Sequence, residues 1–180
     1  MDKNALIIIP KSQFCEEELY GIRFALENKG VRVVVLSKSG NEAIGMKKVK
    51  FQPDGMIVDW NKQSGIQGNY HVVILVGGKG ARKSLWDDPI VPQILTDHHR
   101  SGSIIGAMGS AIVVLVKASL VTGEIPLPKD ADSLKELEIL NAVCVDVPVT
   151  HLNNIILGQG SDSVDDFSER ILNLIDSGEC

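Results

Sequence analysis

Residues 104–121 read IIGAMGSAIVVLVKASLV. On propensity alone the whole run is strand, because β-branched side chains suit a pleated backbone. Its length and its interior glycine argue otherwise. The better fit is a strand over Ile104–Met108, a tight turn at Gly109, and a buried helix from Ser110 to Val121. Strand, turn and helix in direct succession form the unit from which doubly wound α/β sheets are assembled.

The flanking sequence supports that unit. Short apolar runs recur at Ala5–Ile9, Val31–Leu36, Met56–Val58, Val72–Val76, Val143–Val149 and Ile155–Leu157. Several are apolar without alternation, as in a parallel strand covered by helices on both faces. Helical patterns lie between them. Leu19, Ile22, Ala25 and Leu26 fall on one face of a helix over Glu16–Lys29, which Gly30 stops. Asp88-Pro89 reads as a cap and first-turn proline for a helix reaching Arg100. Ser133–Glu136 and Ser163–Asp166 read as capping boxes. Val164, Phe167, Ile171, Leu174 and Ile175 form the apolar stripe of a final helix. Gly40–Val49 and Lys62–Tyr70 are polar loops, and no repeat or linker divides residues 1–180, so one domain is expected.

Composition narrows the function. The charge is −5 from 18 basic and 23 acidic residues, without a basic block, which disfavours nucleic acid. Trp60 and Trp86 are too few for a base-stacking platform. Three scattered cysteines, Cys15, Cys144 and Cys180, fit a reducing cytoplasm rather than a disulfide scaffold. The Ala5–Ile9 run is far too short for a secretory or membrane segment. His98 and His99 are sequence neighbours that point apart on a helix, and His71 and His151 have no visible partner. No metal or other cofactor is therefore expected.

In a doubly wound sheet, ligands bind beyond the carboxyl ends of the strands. Three segments occupy such places: Lys11–Leu19, the Gly77-Gly78-Lys79-Gly80 loop, and Gly106–Ser110. Paired glycines there serve as a tight turn, as a cradle for phosphate or another anion, or as an oxyanion hole. The loop matches neither the dinucleotide fingerprint nor the P-loop. Glu18 lines a pocket or lies at the surface, and Glu16 and Glu17 are expected on a solvated face. Ser110 is expected to cap the helix it precedes rather than act as a nucleophile. Cys15 and Cys144 are expected to be buried and structural, and Cys180 exposed.

The sequence HVVILVGGKGARKSLWDDPIVPQIL, over 71–95, resembles the glycine-glycine loop of the ThiJ/PfpI family, in the class I glutamine amidotransferase-like superfamily. Phe14-Cys-Glu-Glu-Glu18-Leu19 resembles that family's glutamate segment. Residues 105–123 resemble its nucleophile elbow and helix, and 145–167 its closing strands. The resemblance implies a flavodoxin-like, three-layer α/β sandwich with a mostly parallel sheet, assembled as a homodimer or larger assembly. It also implies a site at the elbow. Glu18 would face the nucleophile, while the N–H groups of Gly77 or Gly78 and of Ser110 would hold an oxyanion.

A gapless register across the elbow helix puts Gly109 at the position of the family's nucleophilic cysteine. Ser110 falls where a histidine often follows, Val76 replaces the proline before the paired glycines, and Thr122–Pro128 offers no clear partner histidine or aspartate. The expectation is a member that has lost its thiol chemistry and binds a small-molecule ligand or partner at a remnant pocket of Glu18, Gly77, Gly78, Gly109 and Ser110. Two other readings stand beside it. One is an active hydrolase-, glyoxalase- or deglycase-type enzyme using Ser110, Cys15 or Glu18 in an unfamiliar way. The other is an anion-binding module using the Gly77–Gly80 loop and Arg82.

Overall fold

The computed structural model describes residues 2–178; Cys180 lies outside them. Its centre is a seven-stranded sheet. In chain order the strands are β1 (Asn4–Ile8), β2 (Arg32–Ser37), β5 (Gly55–Met56), β6 (Val72–Leu75), β7 (Ile104–Met108), β10 (Val149–Leu152) and β11 (Ile155–Gly158). Across the sheet the order is β10-β11-β7-β6-β1-β2-β5. All pairings are parallel except the terminal hairpin, where Val149 pairs with Gly158. Small two-stranded sheets lie outside it: β3 (Ala43–Ile44) with β4 (Lys50–Phe51), and β8 (Glu124–Pro126) with β9 (Val143–Val145).

Unalternating apolar runs become strands buried on both faces. In β1, Ala5 and Ile7 join one core with Val72, Ile74 and Ile104 of the neighbouring strands. Leu6 and Ile8 join the opposite core with Val73, Leu75 and Ile105. Helices α1 (Glu16–Asn28) and α6 (Val164–Ser177) cover the first core through Leu19, Ile22, Leu26, Phe167 and Ile171. Helices α3 (Val91–Arg100), α4 (Ile112–Lys117) and α5 (Ala131–Ile139) cover the second through Ile94, Val113 and Leu137. A short helix, α2 (Ala81–Ser84), follows the paired glycines. The result is the expected flavodoxin-like sandwich of three layers. No helix among the described residues is long and apolar enough to cross a membrane.

Local details differ from expectation. Ser110 caps nothing: its residue lies inside a 3₁₀ turn over Gly109–Ala111, which runs directly into α4. Helix α5 begins earlier than the Ser133 box implies, because the Asp130 carboxylate accepts from Ser133 N–H at 2.9 Å. At α6 the Ser163 hydroxyl closes back on Gly160, accepting from its N–H at 3.2 Å and donating to its C=O at 2.8 Å. Asp88 does act as a cap, accepting from Ile90 and Val91 N–H, but α3 starts beyond Pro89. The Gly40–Val49 loop contains β3 and leads into β4. Cys144 is only half-buried, because its strand lies outside the main sheet.

Candidate functional site

Strands β7, β6 and β1 are adjacent and parallel, so the loops after them meet at one edge of the sheet. These loops carry Gly109-Ser110, Gly77-Gly78 and Pro10–Cys15. The sheet reverses its strand order between β6 and β1, where a crevice forms in folds of this kind.

Gly109 sits at the apex after β7 with φ +51°, in the left-handed region that a sharp strand-to-helix bend requires. A Cβ placed there would meet the Gln159 carbonyl oxygen at 3.7 Å and Glu18 Oε2 at 3.8 Å, ordinary contact distances. A Cβ there would therefore stand clear of both groups, facing the glutamate. Gly78 is a close-approach point of the neighbouring loop. Its φ is +117°, and a Cβ would come within 2.4 Å of the Gln13 carbonyl and 2.7 Å of Cys15 N. Only glycine allows the loops after β6 and β1 to touch in this way.

The sequence candidates Glu18, Gly77, Gly78, Gly109 and Ser110 are thus brought together. Gly77 N–H donates to Glu18 Oε1 at 2.9 Å. Ser110 Oγ accepts from Gly78 N–H at 3.1 Å and donates to the Gly78 carbonyl at 2.9 Å. The hydroxyl expected to cap a helix instead pins the glycine loop to the elbow. Sequence reading missed two further contributors. The Trp86 indole N–H donates to the Ser110 carbonyl at 2.8 Å, and the Gln159 carbonyl borders the vacant apex.

Glu18 is 4% exposed. Burial pushes its pKa from 4.5 up to about 7, and the Gly77 N–H and the Cys15 thiol oppose that rise. Its carboxyl therefore holds a proton well above the usual carboxylate range. Cys15 precedes α1 and lies against the same carboxyl; its thiol also reaches Glu17 Oε2 at 3.5 Å. Burial and then the Glu18 charge drive the thiol pKa far upward. A sulfur so placed stays protonated, unlike a nucleophilic cysteine.

The neighbouring acids divide by helix rotation. Glu17 is exposed and pairs with Lys47, as expected. Glu16 is not on a solvated face: it is 5% exposed, and its Oε2 accepts Lys47 N–H at 2.8 Å and Val49 N–H at 3.2 Å. It anchors the turn between β3 and β4. Arg82 is paired with Asp132 at 3.2 Å.

The histidines lie elsewhere. His98 is a buried structural residue whose Nε2 accepts from Tyr70 N–H at 3.1 Å while Nδ1 faces the Ile94 carbonyl at 2.7 Å. Burial lowers its pKa. His71 does have a partner, Asn4, whose Oδ1 lies 2.8 Å from Nδ1. Among the described residues, no group of three or more His, Cys, Asp or Glu is arranged to hold a metal. A cleft of about 540 Å³ between His99, Leu120 and Asn153 opens at the opposite end of β7 and shares no residue with the elbow.

A strand-turn-helix elbow set under a paired-glycine loop, with a buried glutamate facing its apex, defines a sandwich of the nucleophile-elbow type. The chain belongs to the DJ-1/PfpI family, whose model matches residues 3–174. It is 26% identical over 180 aligned residues to an uncharacterized protein of Methanocaldococcus jannaschii, covering 97% of this chain and 84% of that one. It is also 26% identical over 119 residues to a glutathione-independent glyoxalase of Caenorhabditis elegans, covering 66% of this chain and 61% of the relative. The crystal structure of a ThiJ/PfpI domain protein from Brachyspira murdochii shares the fold, with TM-score 0.84 at 20% identity, over 98% of this chain and 99% of that one.

Proposed function

We propose that this protein binds a small ligand or partner at the remnant of the family site and does not perform the family's thiol chemistry. One observation carries the reading: the apex residue, Gly109, has no side chain, while the groups around it remain in place. Removing a hydrolase nucleophile costs on the order of 10⁶ in turnover. No neighbour makes good that loss. The Cys15 thiol is held protonated, and the Ser110 proton goes to a backbone carbonyl rather than to a base.

The rival reading is an active enzyme, and the glyoxalase relative supplies its substrate class. Incubation with methylglyoxal separates the two. Dicarbonyl loss is expected to match the protein-free blank; turnover abolished by Ser110→Ala would establish an enzyme instead. The anion-module reading is disfavoured because Gly77, Gly78 and Gly80 N–H are all engaged, by Glu18, Ser110 and the Gln13 carbonyl.

A homodimer is proposed on the α1 side, and a reducing cytoplasm as the setting. Phe24 is 67% exposed, and Tyr20 and the hairpin residues Ile44, Met46 and Val49 add apolar surface nearby. Sedimentation should show a dimer that Phe24→Glu dissociates; an unaltered mass for the variant would place the interface elsewhere.

A further inference from the structure

We propose that the cleft at the far end of β7 from the elbow is a second binding site, for a small organic cation: an amine with an apolar body. The cleft holds about 540 Å³, within the range of small-molecule pockets, and shares no residue with the elbow. The inference is therefore independent of what the elbow does.

The lining selects the ligand. Leu120, Val121, Ile155 and Leu157 supply an apolar wall. The first three are half-buried and Leu157 is buried, so a ligand with an apolar body would remove aliphatic surface from water. Among the described residues that line the cleft there is no phenylalanine, tyrosine or tryptophan, which disfavours a base or sugar ring held by stacking. There is no lysine or arginine either, so a phosphate or carboxylate would find no counter-charge.

Glu124 carries the only formal charge of the lining. It opens β8, is exposed, and its carboxylate has no hydrogen-bond or ion-pair partner among the described residues. The other polar side chains are threonines, asparagines and the imidazoles of His99 and His151. Backbone dipoles add to the negative charge. His99 lies in the last turn of α3 and Leu120 follows the end of α4, so two helix C-termini lie beside the cleft. The cations of those two last turns do not offset it. Arg100 is exposed and does not line the cleft, and Lys117 is paired with Asp87. A carboxylate and two helix ends are left to a ligand that brings its own positive charge.

The test compares hexylammonium, hexanol and hexanoate, which share one apolar body and differ in charge. Each is titrated into the intact protein at about pH 8, where a free imidazole is neutral and an alkylamine charged. Binding is followed by the amide resonances of Gly123 and Asn153 in the cleft and of Gly109 at the elbow. Hexylammonium should shift Gly123 and Asn153 saturably and leave Gly109 unmoved. It should bind about tenfold or more tightly than hexanol, and hexanoate more weakly still. Glu124→Gln should remove that preference and leave hexanol binding unchanged. Salt at about 0.5 M should narrow the gap between amine and alcohol, because the carboxylate is exposed.

The ligand series on the unaltered protein decides the matter even if the variant folds poorly. Equal affinity for all three would make the cleft an apolar groove without charge preference and overturn the inference. So would a preference for hexanoate, no saturable shift, a shift at Gly109 in place of the cleft, or an amine preference that survives Glu124→Gln. None of these outcomes touches the reading of the elbow, which methylglyoxal turnover tests separately.

Discussion

Gly109→Cys is expected to produce a thiol that alkylates with iodoacetamide about tenfold or more faster than Cys15 at neutral pH. The backbone already has the conformation an elbow nucleophile needs, with φ +51°. Holding a residue with a Cβ there costs about 1–2 kcal/mol of stability. The new Cβ would stand at ordinary contact from Gln159 and Glu18, so no neighbour has to move. The sulfur would sit at the start of the helical segment formed by Gly109–Ala111 and α4, where backbone dipoles favour a thiolate. Glu18 holds its proton up to about pH 7 and can donate it to that thiolate. Adding Glu18→Ala should therefore slow the graft towards Cys15. The internal control is strong, since Cys15 lies against the same glutamate with its pKa driven upward. A graft no faster than Cys15 would remove Gly109 from the nucleophile position and end the case for a vacated site.

How far the sequence reveals this arrangement depends on the range of each interaction. Ile104–Met108 is found to the residue, because a β-branched run ending in glycine is a local signal. The helix after it is not. It ends at Lys117 rather than Val121, because Ser119 turns left-handed at φ +56° and Leu120 N–H closes back on the Leu115 carbonyl. Nothing in the Ala-Ser-Leu-Val composition marks that stop.

The three consecutive glutamates show a second limit. Each successive residue turns about 100° around a helix, so one faces the glycine loop, one solvent and one the β3–β4 turn. Propensity cannot say which is which without the packing. Family resemblance places Glu18, whereas nothing local marks Glu16, whose partners are backbone amides of Lys47 and Val49. Ser110, Trp86 and Gln159 make the same point. Their roles depend on hydrogen bonds or contacts to segments remote in sequence, which no local pattern encodes.

The contribution of Glu18 to stability is expected to fall by roughly 3 kcal/mol as pH rises from about 4.5 to about 7. The sign follows from the proton count. In the unfolded chain Glu18 loses its proton near 4.5, whereas the folded protein keeps it until about 7. Across that window the folded state binds more protons than the unfolded state, so stability falls as pH rises and levels off above it. His98 and His71 oppose the trend: burial lowers both pKa values, so each adds stability as pH rises towards the unfolded histidine value. The raw pH profile of unfolding is therefore a sum of opposing slopes. Comparison with Glu18→Gln isolates the carboxyl, since glutamine can still accept from Gly77 N–H but does not titrate. The two proteins should converge at the acid end. By about pH 8 the glutamine variant should have gained roughly 3 kcal/mol on the unaltered chain, the cost of a buried charge without a counter-ion. A difference that stays flat over this range would mean that Glu18 ionises as freely folded as unfolded, and its carboxyl would then not be held protonated by burial beside the glycine loop.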